Sequence, residues 1–153
     1  MPLSQADRTI SDGPDYYRAL LSSADPSLRA PGATWSSREY AWHVADNLRI
    51  WGERIMGLSL GVTGPVSTYD PDRLAEVRGY EHLPVAAVFW SLDRAVNDWQ
   101  EALRTMGDAP DLVLTHPLRG DEPISAVRRW VAHETHHHGY DIRRAAPDNS
   151  GAG

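Results

Sequence analysis

The sequence predicts an all-α protein, a four-helix bundle that forms one domain over residues 1–153. Three observations favour this fold. Apolar residues recur at helical spacing in four segments, and proline and glycine residues separate these segments. No alternating strand pattern is longer than Leu112-Val113-Leu114. A chain of 153 residues is large enough for one hydrophobic core and too short for two linked domains.

The first predicted helix is short. It begins after Asp12-Gly13-Pro14, because proline suits the first turn of a helix, and it ends near Ala24. The first ten residues lack periodicity, and the tail after Ala146 is polar and rich in glycine. We therefore expect the ordered core to span about residues 12–146.

The second predicted helix follows Thr34-Trp35-Ser36-Ser37, where a serine cap precedes Glu39 in the first turn. It continues to Leu60, and Gly61 ends it. Its apolar stripe has the heptad spacing of a helix that faces a bundle core. The stripe consists of Ala41, Val44, Leu48, Trp51, Ile55 and Leu58.

A long crossover then leads to the third predicted helix. The segment from Val62 to Tyr80 contains the turn-forming pairs Gly64-Pro65 and Asp70-Pro71, so we expect a loop with one helical turn near Arg73–Val77. The third helix begins at Pro84 and runs up to Gly107. Its apolar positions are Ala87 or Val88, Leu92, Ala95 or Val96, Trp99 and Leu103.

The last predicted helix begins at Pro123 and runs to about Ala145, and its apolar stripe includes two ionisable residues. Steps of three and four residues connect Ile124, Val127, Val131, Glu134, His138, Asp141 or Ile142, and Ala145. This repeat is typical of a bundle interior. A carboxylate there needs a partner, because an unpaired buried charge costs several kcal/mol. We therefore expect a charge partner or a metal ion at Glu134.

The histidines of this helix favour a metal site. Four of the seven histidines lie between His133 and His138, and the chain has no cysteine, so any metal must bind imidazole and carboxylate groups. Glu134 and His138 are one helical turn apart and can bind one ion. The opposing alternative uses His133 and His137, which have the same spacing on a less apolar face. Zn²⁺, Ni²⁺, Fe²⁺ or Mn²⁺ suit such ligands, with Zn²⁺ as the first choice.

A third ligand must come from another element, and three histidines are available. His82 and His116 both lie next to proline in predicted loops. His43 lies within the second helix, next to Val44 of its apolar stripe. For His43 alone, a core histidine without metal is an equal alternative.

Two short motifs resemble the DinB/YfiT-like superfamily, which includes the mycothiol-dependent maleylpyruvate isomerases. One is the string from Trp35 to Asp46, followed by Arg54, and the other runs from His133-Glu134 to Asp141-Ile142. The resemblance implies that the eighth residue after Trp35, His43, binds a metal together with Glu134 and His138. It also implies that Asp141 supports a ligand without binding the metal itself, and that two chains form a homodimer.

A rival interpretation starts from the same helix. The residues His133-Glu134-Thr135-His136-His137 spell the H-E-x-x-H motif of zinc peptidases, in which both histidines bind zinc. The longer form of that motif needs glycine at position 140 and histidine or aspartate at position 143, where this chain has Tyr140 and Arg143. An HExxH-type zinc hydrolase is therefore the less supported alternative.

Three protein ligands leave a coordination position open, which favours catalysis over a structural role. We expect a metal-dependent transferase or isomerase that acts on a small molecule, and the resemblance implies a low-molecular-weight thiol as cosubstrate. Tyr40, Trp51 and Arg54 are candidates for the pocket lining. Two alternatives stay open: a metal- or ligand-binding bundle without turnover, and a structural bundle in which Glu134 pairs with an arginine such as Arg54.

Charge and hydropathy exclude other classes of function. The net charge of −6 argues against nucleic acid as a partner, since nucleic-acid-binding proteins concentrate positive charge. No apolar stretch approaches the roughly 20 residues that span a bilayer, and no leader peptide is evident. We therefore expect a cytoplasmic protein with no membrane partner.

Overall fold

The computed structural model describes residues 1–22, 25–107 and 112–145. The described chain is mainly helical. Helix α3 packs along α5 and α6, α1 packs against α6, and α2 packs against both α5 and α6. The predicted all-α bundle is confirmed. The elements are α1 (Leu3–Ser11), α2 (Gly13–Ser22), α3 (Ser37–Ser59), α4 (Pro71–Arg78), a 3₁₀ turn (Tyr80–His82), α5 (Val85–Met106), β1 (Val113–His116), β2 (Gly120–Pro123) and α6 (Ile124–Ala145).

The long helices follow the predicted boundaries closely. At the start of α3, the Ser36 backbone N–H donates to the Glu39 carboxylate over 2.8 Å, and the Glu39 N–H donates to the Ser36 hydroxyl. This reciprocal capping box satisfies two backbone donors that the first turn would leave unpaired. The predicted stripe of α3 faces the core from Ala41 to Ile55, and Leu58 lies partly buried at its edge.

The first residues form a helix, so the prediction that they lie outside the ordered core is wrong. Ala6 and Ile10 of α1 are completely buried, and α1 packs against α6. The Arg128 Nε–H donates to the Asp7 carboxylate over 3.0 Å, which adds a charged contact between the two helices. With only two buried positions, α1 is too short to show a clear period and depends on tertiary packing for its stability.

The crossover is more ordered than the predicted loop. Its helix α4 begins at Pro71, after the Asp70 side chain caps the first turn, and spans two turns rather than one. Asp46 of α3 holds the far end of this segment: it accepts a hydrogen bond of 2.6 Å from the Tyr80 hydroxyl and pairs with Arg78 Nε at 3.0 Å. Asp46 and Tyr80 are almost fully buried, so the crossover is tied to the bundle.

A short hairpin corrects the expectation that the chain contains no strands. β1 and β2 pair antiparallel, with Leu114 opposite Glu122 and His116 opposite Gly120. Each strand has four residues. β1 alternates between exposed and buried positions, but only over this short length, and β2 reads Gly-Asp-Glu-Pro and shows no alternation. The hairpin places the turn between the strands beside α3. Among the described residues, no helix is both long and apolar enough to cross a bilayer.

Candidate metal centre

Three side chains from two helices meet at one point in the bundle. His43 of α3 faces Glu134 and His138 of α6, and one ligand atom from each lies within 4.8 Å of the other two. Within the described parts of the chain, this is the single group of three metal-ligating side chains at such distances. Two imidazoles and one carboxylate form a donor set that fits a divalent ion such as Zn²⁺.

The His43 ring is enclosed by aromatic groups and is 5% exposed. Its centroid lies 4.7 Å from that of Trp35 and 4.9 Å from that of His138. Burial, followed by the nearby His138, lowers the pKa of His43 to about 4, although Glu134 opposes the shift. His43 is therefore neutral at pH 7, and a neutral imidazole has the free lone pair that a metal ligand needs.

His138 lies between two carboxylates. Its Nε2 is 3.3 Å from Glu134 Oε2, and its Nδ1 is 3.2 Å from Asp141 Oδ2. A neutral imidazole carries one N–H and cannot donate to both groups at once. A cation between Nε2 and Glu134 would satisfy both sides, with the Nδ1 proton donated to Asp141. The Tyr40 ring stacks on His138 at 5.2 Å and restricts its orientation.

Glu134 supplies the negative charge of the group. The hydrogen bond with His138 lowers the pKa of Glu134 most, burial opposes this, and the charges of His138 and His43 lower it further. The carboxylate is therefore ionised at neutral pH. The predicted core position is only partly correct, because the Glu134 side chain keeps 26% exposure where it borders a cavity.

The alternative ligand face points to solvent. His133 and His137 stack on each other at 5.8 Å between centroids, and both are exposed. His137 keeps 54% of its side-chain surface exposed. The H-E-x-x-H interpretation is therefore wrong, because its two histidines do not converge with any third ligand in the described chain.

Two further expectations are settled by position. His82 lies exposed in the 3₁₀ turn, where it contacts Glu81 at 2.9 Å, and it does not approach the group. Arg54 forms no ion pair with Glu134 in the described structure, and its Nη2 donates to the carbonyl oxygen of Ser67. A purely structural arginine–glutamate pair is therefore not what occupies this part of the bundle.

A cavity of about 280 Å³ opens beside the three side chains. His43 and Glu134 form one wall, and residues from α3, the crossover, the hairpin and α6 form the others. The remaining lining residues are Asn47, Trp51, Arg54, Thr68, Tyr69, Pro71, His116, Leu118, Arg119 and Trp130. The predictions of Trp51 and Arg54 as lining residues are confirmed, whereas Tyr40 contacts His138 outside this cavity.

His116, one of the three histidines available as a third ligand, lines the cavity and does not belong to the group of three ligating side chains. We expected it in a loop, but it ends β1, and its Nδ1 accepts hydrogen bonds from the backbone N–H groups of Leu118 and Arg119 at 3.2 and 3.3 Å. A neutral imidazole that accepts at Nδ1 carries its proton on Nε2. The one available sequence signal is the turn Pro117–Gly120, which marks the hairpin only when both flanking strands are recognised.

The family follows from a comparison of the chain with family models. The model of the DinB superfamily matches residues 10–142, which is most of the chain. The chain belongs to the DinB superfamily. The match includes α2 through most of α6 and therefore all three side chains of the candidate centre.

Solved structures show the same DinB fold. A Bacillus subtilis protein, YfiT, described as a probable metal-dependent hydrolase with an unusual four-helix bundle topology, has a TM-score of 0.82 at 17% identity, with 94% of this chain and 85% of YfiT covered. The mycothiol-dependent maleylpyruvate isomerase has a TM-score of 0.72 at 20% identity, and a histidine-to-alanine variant of it has 0.73 at 19%. For both isomerase structures, 93% of this chain is covered but only 61% of the isomerase. No curated protein sequence matches the chain.

Proposed function

We propose that this DinB protein is a metal-dependent transferase or isomerase that acts on a small molecule. In this proposal His43, Glu134 and His138 hold one divalent ion, with Zn²⁺ as the first choice and Ni²⁺, Fe²⁺ or Mn²⁺ as alternatives. The observation that carries the proposal is the convergence of these three side chains within 4.8 Å beside an open cavity. When bound, such an ion supplies a Lewis acid that lowers the pKa of a water or thiol.

The surrounding residues support this role. Trp35 and Tyr40 cover His43 and His138 with aromatic rings. Asp141 accepts at His138 Nδ1, which directs Nε2 towards Glu134. Three protein ligands leave coordination positions free for a reactant in the cavity. We also propose that the reaction uses a low-molecular-weight thiol as cosubstrate. The structural likeness to a mycothiol-dependent enzyme supports this part of the proposal.

Metal analysis of protein purified without a histidine tag tests the ligands. We expect about one divalent ion per chain in the wild type, and at least a tenfold loss of affinity in His43→Ala and His138→Ala. His133→Ala is the matched control, because His133 lies exposed on the same helix and should leave metal content unchanged. Full occupancy in His43→Ala and His138→Ala would contradict the proposal.

Turnover is tested separately on the metal-loaded protein. Assays with low-molecular-weight thiols and small electrophiles should show a reaction that His138→Ala abolishes and His133→Ala retains. If the reaction does not need the thiol, the thiol part of the proposal is rejected. The metal would then activate water, as in a metal-dependent hydrolase. Stoichiometric metal binding with no turnover on any substrate would instead support a metal-binding bundle.

A further inference from the structure

The cavity beside the candidate centre has charged groups of both signs, with Glu134 on the side of the proposed metal ligands and arginines elsewhere in the lining. Two arginines line it, Arg54 from α3 and Arg119 from the hairpin turn. Arg119 is neutralised, since its Nε and Nη2 each lie 2.8 Å from a carboxylate oxygen of Glu122. Arg54 differs from Arg119 in this respect.

Arg54 has no acidic partner among the described residues. Its one hydrogen bond in that part of the chain goes to a backbone carbonyl, that of Ser67, which is neutral. Burial lowers the pKa of Arg54, and the nearby Arg119 lowers it further. A guanidinium nevertheless stays charged in proteins, so Arg54 is a cation that no carboxylate of the described residues contacts directly. Partly buried charges of this kind are normally paired.

Aromatic rings fix the position of Arg54. Its guanidinium carbon lies 4.4 Å from the centroid of the Trp51 ring and 5.7 Å from that of Tyr69. Stacking on an aromatic face orders the planar guanidinium before any ligand binds, which reduces the entropy lost on binding. Arg54 is therefore an ordered, unpaired cation at a cavity wall.

Two buried polar atoms of residues in the same cavity lining also lack partners. Asn47 Oδ1 and Trp51 Nε1 have no hydrogen bond among the described residues, and both side chains line the cavity. Asn47 is 5% exposed and Trp51 is 2% exposed, so water does not readily compensate these groups. Most buried polar groups in folded proteins have a hydrogen-bond partner, and a polar ligand that reached these two atoms would supply one.

We propose that this cavity binds a small organic anion with a flat apolar body, and that Arg54 binds its anionic group. This inference rests on the proposed function, because it names the substrate class of the same site. Trp51, Tyr69 and Trp130 supply flat apolar walls for the body of the ligand. The volume of about 280 Å³ is close to the lower end of the range for small-molecule sites. The binding places the ligand beside His43 and Glu134.

Benzoate is a suitable probe, with benzamide as its neutral counterpart of nearly the same shape. Isothermal titration of the full chain, in zinc-loaded and chelator-treated forms, should show benzoate binding at least tenfold tighter than benzamide in both forms. Arg54→Gln should weaken benzoate binding at least tenfold and leave benzamide unchanged. Arg94→Gln is the matched control, since Arg94 is an exposed arginine on α5 outside the cavity lining. This variant should bind benzoate as tightly as the wild type does.

Arg54→Lys guards against a purely structural effect, because it keeps the charge but not the planar group. We expect its benzoate affinity to lie between those of the wild type and Arg54→Gln. Equal benzoate affinity in Arg54→Gln and the wild type would overturn the inference. If inorganic phosphate binds as tightly as benzoate, the part of the inference that requires a flat apolar ligand is overturned.

The metal content of the same proteins separates the two proposals. Arg54→Gln should retain zinc at the wild-type stoichiometry, since Arg54 does not belong to the group of ligating side chains. Zinc binding without Arg54-dependent benzoate binding would overturn the anion site alone. Arg54-dependent benzoate binding by a wild type that binds none of Zn²⁺, Ni²⁺, Fe²⁺ and Mn²⁺ would overturn the proposed function and leave the anion site supported.

Discussion

At the scale of single residues, the environment of His138 is the most informative feature of the candidate centre. The ring lies between Glu134 and Asp141, with a different nitrogen facing each carboxylate. Asp141 therefore does not compete for the metal position; it sets which nitrogen of His138 is free to bind. Carboxylates in this position raise the basicity of a histidine ligand and fix its tautomer.

Replacing Asp141 tests this assignment. We expect Asp141→Ala to weaken Zn²⁺ binding by about 10- to 100-fold, because His138 loses the group that orients it. Asp141→Asn should have a smaller effect, since its amide oxygen can still accept the Nδ1 proton. Competition with a chromophoric chelator measures the affinity. Asp98→Ala on α5 is the control, and an Asp141→Ala affinity equal to that of the control would contradict the assignment.

The sequence identifies Glu134 and His138 through the continuity of one helical stripe. The apolar positions Val127 and Val131 share a face with them, and the structure buries both valines. The sequence does not locate His116 or Arg119 at the cavity, because these residues reach it through a hairpin whose two strands have only four residues each. Their place in the site depends on tertiary structure, which a local pattern does not encode.

At the scale of elements, Asp46 connects the crossover to α3. It accepts from the buried Tyr80 hydroxyl and pairs with Arg78. Burial and this hydrogen bond raise the pKa of Tyr80, so the phenol stays protonated and continues to donate. The crossover also supplies Thr68, Tyr69 and Pro71 to the cavity, so its attachment affects the shape of the site.

Asp46→Ala should destabilise the protein by about 2–3 kcal/mol, because it leaves the Tyr80 hydroxyl buried without an acceptor and removes the partner of Arg78. Urea unfolding followed by tryptophan fluorescence measures this change. Asp72→Ala on the exposed side of α4 is the control, and we expect an effect below about 0.5 kcal/mol there. Equal unfolding midpoints for the two variants would contradict the role of Asp46.

The length of a helix decides whether its sequence pattern is sufficient to predict it. Helices α3, α5 and α6 have 23, 22 and 22 residues, long enough to repeat their stripe several times, and their predicted ends are close to the observed ones. Helix α1 has nine residues and buries two, so its pattern is too short to recognise. Its stability comes from packing against α6, a partner more than 100 residues further along the chain.

At the scale of the whole molecule, the ligands of the proposed metal come from two helices that are far apart in the sequence. The unfolded chain does not hold His43 near His138, so an ion that binds all three side chains binds the folded state selectively. Metal binding should therefore raise the free energy of unfolding. The size of the effect depends on the free metal concentration relative to its dissociation constant.

Thermal unfolding with and without Zn²⁺ measures this coupling. At free Zn²⁺ about 100-fold above the dissociation constant, the stabilisation is about 2.7 kcal/mol. For a domain of this size, the midpoint should rise by about 5–10 °C. His43→Ala should remove the shift, and His133→Ala should keep it. An equal shift in His43→Ala would show that the ion does not link α3 to α6.

The hairpin turn and the proposed metal ligands lie on separate elements, so substrate preference can change without a change in the ligands. Leu118 and Arg119 border the cavity from a two-stranded ribbon, whereas His43, Glu134 and His138 lie on long helices. We expect insertions or replacements in that ribbon to change which compounds enter, while the helices that carry the proposed metal ligands stay in place. A chimaera that exchanges residues 113–123 with those of another bundle of this kind should acquire a new substrate preference and keep its metal.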